Sequence, residues 1–96
     1  MQSMGELLGI VNKHFCNGAD IHIDFYNSDL FSISIYDIKG FRIDEQREYL
    51  IVNDEYMFNY ADCKNPQIKN IDDGILVSAN IENATLDIVI HNRSIG

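Results

Sequence analysis

The chain has 96 residues, with 15 acidic side chains against 7 basic ones and a formal net charge of −8. That length suits one domain with a single core, since domains typically run to roughly 100–150 residues. No apolar run approaches the roughly 20 residues of a membrane-spanning helix, and the negative charge repels phosphate backbones, which disfavours direct nucleic-acid binding.

Hydrophobic residues make up 46% of the chain and there is one proline, a composition that folds rather than staying disordered. The chain is rich in Ile and Asn, which AT-rich codons encode, and this tilts the expectation toward a low-GC bacterium or one of its mobile elements. The first residues lack the basic and then apolar pattern of a signal peptide. Cys16 and Cys63 are far apart and read as free thiols. The expectation is a cytoplasmic protein of a bacterial or phage-infected bacterial cell.

Ser3-Met4-Gly5-Glu6 has capping-box spacing, with serine at the N-cap and glutamate three residues on. Met4, Leu7, Leu8, Val11 and Phe15 then recur at helical intervals, and Asn17-Gly18 supplies a left-handed stop. The spacing predicts an amphipathic helix over residues 4–16. Gly5 and Gly9 each weaken it by about 1 kcal/mol relative to alanine, so packing on a sheet must compensate.

From Asp20 the period changes to two. Ile21, Ile23 and Phe25 alternate with polar neighbours, Asn27-Ser28-Asp29 turns, and Phe31, Ile33 and Ile35 alternate again, which predicts a hairpin. Gly40 marks a bend, and Phe41 and Ile43 resume the pattern. Residues 44–47 form a charged turn, Tyr49 to Val52 a strand, and Asn53-Asp54 a tight turn. Tyr56, Phe58 and Tyr60 follow, and three aromatics at period two favour an inward face. Residues 61–74 are expected to be irregular, with a short helical turn within 62–70. Two more alternating runs, 75–81 and 86–90, are joined at Glu82-Asn83, and residues 92–96 are expected to fray.

The expected fold is α+β. One N-terminal amphipathic helix packs on a curved, mostly antiparallel sheet of about five to six short strands, open or closing toward a small barrel. Residues 1–96 form a single domain, with the sheet spanning 20–91.

Asp20-x-His22-x-Asp24 is the sharpest local pattern. On a strand its side chains share one face about 6.6–7 Å apart, too wide for all three to hold one metal directly. The bland interpretation is a solvated sheet face with a histidine between carboxylates. Cys16 falls at a helix C-terminus, where the dipole disfavours a thiolate. No phosphate-binding glycine loop, zinc knuckle or serine–histidine arrangement is present in the sequence. The expectation is therefore no catalytic residue, no cofactor and no metal.

Carboxylates crowd three turns. Asp44, Glu45 and Glu48 occupy one, Asp54 and Glu55 beside Tyr56 a second, and Asp72 and Asp73 a third. Turns lie on the surface, and tyrosine among carboxylates suits a face that grips a basic protein. These eight residues are the candidate partner-binding set. The function expected is a small acidic inhibitor of a basic nucleic-acid-processing protein such as a nuclease, of the anti-defence or toxin-immunity type. A self-associating β adaptor, as a homodimer, or a small-ligand-binding module is the alternative.

Overall fold

A computed structural model describes residues 3–91. Helix α1 (Met4–Cys16) is followed by eight strands: β1 (Ile21–Asn27), β2 (Phe31–Ile35), β3 (Phe41–Asp44), β4 (Tyr49–Val52), β5 (Tyr56–Asn59), β6 (Lys64–Ile71), β7 (Gly74–Ile81) and β8 (Ala84–His91). They make a five-stranded sheet in the order β2-β1-β8-β7-β6 and a three-stranded meander, β3-β4-β5. Every described pairing is antiparallel.

The helix forms where the spacing places it. Glu6 N–H donates to Ser3 Oγ and Ser3 N–H donates to the Glu6 carboxylate, both at 3.2 Å, which closes the capping box. Gly18 takes φ +89 beyond the last turn, the left-handed stop that glycine adopts without strain. Leu7, Leu8 and Val11 are fully buried. At roughly 1.5–3 kcal/mol for each buried side chain, they outweigh the glycine deficit of about 1 kcal/mol at each of Gly5 and Gly9.

Alternation in the strands sets the core. Ile21 and Ile23 of β1, Val77 and Ala79 of β7, and Leu86, Ile88 and Ile90 of β8 point to one face of the large sheet. The helix and the meander cover that face. Leu50, Val52 and Phe58 come from the meander, Phe25 meets Phe58 edge-on at 5.2 Å, and Phe15 of the helix meets Phe41 of β3 at 6.1 Å. Apart from Ala84, the buried side chains of helix, large sheet and meander belong to one contiguous cluster.

The α+β expectation holds, and of its two alternatives, open or closing toward a barrel, the described strands take the open one, since no ladder joins the two sheets. Two details differ. The described residues form eight strands rather than five to six. The segment expected to be irregular with a helical turn contains β6. Polar residues and Pro66 hide it, yet both suit its place at the sheet edge. A register shift between Lys64 and Gln67, with Asn65 at φ +55, accommodates the proline at a bulge. The tail expected to fray, 92–96, lies outside the described residues.

Candidate functional site

Two regions stand out on this frame. The first is a cleft of about 780 Å³ at the helix N-terminus, lined among others by Ser3, Glu6, Glu45, Glu48, Tyr60 and Pro66. Glu6 comes from the first helical turn, and Glu45 and Glu48 from the β3–β4 turn. Glu48 adopts φ +58, and its carbonyl accepts the Tyr60 N–H at 2.9 Å, which ties the turn to the chain leaving β5. Asp44 Oδ1 accepts the Arg47 N–H at 3.2 Å and shapes the same turn. A Cβ added at Gly5 would sit 3.6 Å from Tyr60 Cε1, so the ring rests closely on the helix.

Among the described residues lining this cleft none is basic. Its electrostatic signature appears at Tyr60, whose phenol pKa is raised, first by burial and then by the charges of Glu48, Glu45 and Asp44. The helix N-terminus carries a partial positive charge that offsets part of the crowding.

The second region is the outer face of the large sheet. Asp24 and Asp87 lie directly opposite each other across β1 and β8. Like charges in that position destabilise a sheet, and hydroxyl donors answer them. Ser34 Oγ donates to Asp24 at 2.7 Å, Ser78 Oγ donates to Asp87 at 2.7 Å, and the Tyr26 hydroxyl donates to Asp87 at 3.0 Å. The bond to Asp87 and its charge raise the Tyr26 pKa.

His22 Nε2 lies 3.3 Å from Asp24 Oδ2, and its Nδ1 lies 2.7 Å from Nε2 of His91. When both rings are neutral, one arrangement satisfies all three groups. His22 donates from Nε2 to the carboxylate, and His91 donates from Nε2 to His22 Nδ1. Tyr36 stacks on His22 with ring centroids 5.1 Å apart. Asp20, the third member of the sequence pattern, accepts the His91 N–H through its backbone carbonyl at 2.8 Å. Among the described residues no group of three or more His, Cys, Asp and Glu side chains is arranged to hold a metal ion.

No protein-family model, curated protein or solved structure matches this chain. The functional reading therefore rests on the residues themselves.

The candidate partner-binding residues fall into three places. Glu45 and Glu48 line the acidic cleft, with Asp44 beside them. Asp54 and Glu55 sit in the β4–β5 turn, at the opposite end of the meander, where Asp54 pairs with Arg42 at 2.9 Å. Tyr56 is half-buried and packs against the core. Asp72 and Asp73 are exposed in the β6–β7 turn. The sequence pattern marks Glu6 only as the capping-box partner and Tyr60 as an inward aromatic, so it does not join them to Glu45 and Glu48. It also does not bring Asp87 and His91 to Asp24 and His22. Their polar positions in the alternation of β8 put them on an outer face, but the register that sets them beside β1 is a long-range property.

Both cysteines are free. Cys16 is exposed, while Cys63 is half-buried beside the acidic cleft. Burial and then the charge of Asp62 push the Cys63 thiol pKa from 9.0 up to about 11. Among the described residues no helix is long and apolar enough to cross a membrane.

Proposed function

We propose that this protein is a small, acidic, non-catalytic binding protein that neutralises a basic nucleic-acid-processing protein. The supporting observation is the convergence of Glu6, Glu45 and Glu48 around Tyr60, in a cleft lined by no described basic residue. Carboxylates at a helix end and in a hydrogen-bonded turn present the charge that the Lys and Arg side chains of a nucleic-acid groove are built to meet. Tyr60 adds an aromatic floor, and the exposed glutamates can approach a partner without large rearrangement. The partner would be a nuclease or another nucleic-acid-binding protein, held in the groove where its substrate would lie. Phage anti-defence and toxin-immunity roles both fit this chemistry.

Electrostatic complementarity of this kind accelerates encounter and weakens as salt rises. The experiment is capture of partners from host lysate with the tagged protein, at low and at high salt, read by mass spectrometry. Recovery of one basic nucleic-acid-processing protein at low salt, lost at high salt, supports the reading. Recovery of none, or of an acidic partner insensitive to salt, overturns it.

A further inference from the structure

The two edges of the large sheet are treated differently. At one edge, β6 carries Pro66, Lys64, Lys69 and a register shift, all devices that discourage another strand from pairing there. At the other, β2 reads Phe-Ser-Ile-Ser-Ile, with neither proline, charge nor bulge, and none of the described strands pairs with its outer side. Four of the five exposed large hydrophobic residues lie in this one segment: Leu30 at 78%, Phe31, Ile33 and Tyr36 at 64%. The fifth, Met57, lines an apolar cleft of about 310 Å³ that Ile33 also borders. Open edges and exposed apolar side chains of this kind are normally either guarded or used.

We infer that β2 is a self-pairing edge and that its occupant is β2 of a second copy of this chain, antiparallel about Ile33. A two-fold interface has to be self-complementary, because each residue meets its counterpart from the same segment. β2 meets that condition residue by residue. Turned about Ile33, Ser32 faces Ser34 of the other copy, Phe31 faces Ile35, and Ile33 faces itself. Leu30, in the turn that precedes β2, and Tyr36, just beyond it, flank the paired segment. Polar positions meet polar ones, apolar positions meet apolar ones, and the two large sheets become continuous.

Charge supports the same occupant. Each copy carries −8 overall, yet residues 30–36 contain no charged side chain, so this strip lets two acidic copies pair with no carboxylate inside the paired segment. Asp29 and Asp37 bracket the strip, and the pairing sets Asp29 of one copy near Asp37 of the other. Their repulsion is screened by salt, so this dimer tightens as salt rises, opposite to the response of the acidic cleft toward a basic partner. The two readings rest on different residues and stand or fall separately.

The test is sedimentation equilibrium of the full chain across the micromolar range at low and high salt, repeated for Ile33→Lys and Leu30→Glu. Both side chains are exposed enough for the fold to persist, which circular dichroism checks. The expected result is a dimer that tightens with salt and is weakened at least about tenfold, or 1.4 kcal/mol, by either substitution. A register test accompanies it. In a chain carrying Cys16→Ser and Cys63→Ala, Ile33→Cys should oxidise to a disulfide-linked dimer, because residues facing each other across an antiparallel pair lie within disulfide reach. Lys69→Cys on the opposite edge should not. A mass of one chain at every concentration overturns the inference. So does a dimer that both substitutions leave unchanged, or one that cross-links equally well through residue 69.

Discussion

Asn53 offers a sharp test of how the meander is built. It occupies φ +55 and is followed by Asp54 at φ +52, in a turn closed by Glu55 N–H on the Val52 carbonyl at 3.0 Å. Two successive residues at positive φ define the primed turn that suits the twist of a hairpin. The Asn53 side chain also reaches across to the start of β3, where Oδ1 accepts the N–H groups of Lys39 at 2.7 Å and Gly40 at 3.0 Å. Its own N–H donates to the Gly40 carbonyl at 2.9 Å. Asn53→Ala removes both side-chain bonds, at about 0.5–1.5 kcal/mol each, the Lys39 bond at the lower end because it is exposed. It also places a β-carbon without asparagine's local compensation in left-handed geometry, at about 1 kcal/mol. The expected loss is about 2–3 kcal/mol, a drop of about 10–20 °C in Tm for a domain of this size. Asn53→Gly removes only the hydrogen bonds and should fall between the two. Asn53→Asp keeps an acceptor and the tolerance of positive φ, and should lose less than about 1 kcal/mol. Urea unfolding followed by circular dichroism gives the order. An alanine variant within about 0.5 kcal/mol of the parent, or alanine and aspartate variants equal in stability, would refute the clasp.

Other consequences follow from the same geometry. Gly9 lies inside the helix with nothing within 4 Å of an added Cβ, so Gly9→Ala should raise stability by up to about 1 kcal/mol in the same assay. Asp87→Asn should bring the Tyr26 titration back toward 10.0, read as tyrosinate absorbance, because the carboxylate is the main cause of the upward shift. Cys63, Tyr26 and Tyr60 all hold their protons more tightly when folded, so the stability they contribute is present below the unfolded values of 9.0 and 10.0 and is lost as pH rises through the folded ones. Stability should therefore decline from about pH 9 upward, and a chain as stable at pH 11 as at pH 8 would contradict those shifts. At pH 8 the thiolate fraction of Cys63 is only about one in a thousand, so alkylation followed by mass spectrometry should modify the exposed Cys16 first.

The helix was legible because its evidence is local: Ser3 and Glu6 three apart, a regular apolar spacing, and Gly18 just past the end. The hairpins were legible for the same reason, through alternation and through turn residues such as Asn53, Asp54 and Glu82. β6 was not, because an edge strand buries little and its lysines and proline mimic a loop. The division into two sheets was not legible either. Nothing within residues 36–41 signals that the chain leaves one sheet for the other. The outer-face network was half visible, since Asp20, His22 and Asp24 share a strand, but His91 and Asp87 reach them only through the pairing of β1 with β8. The acidic turns were easy to see. Their separation into a cleft at the helix N-terminus and two distant turns depends on the packing of helix, meander and sheet.

The measurement that bears most directly on the proposed role is a calorimetric titration of the captured partner with the parent chain and with the Glu45→Lys/Glu48→Lys double variant, at low and high salt. Inhibition through the acidic cleft predicts an affinity that falls as salt rises, and a loss of at least about tenfold for each reversed charge while the fold is retained. An affinity that is indifferent to salt and equal for the two chains would contradict it.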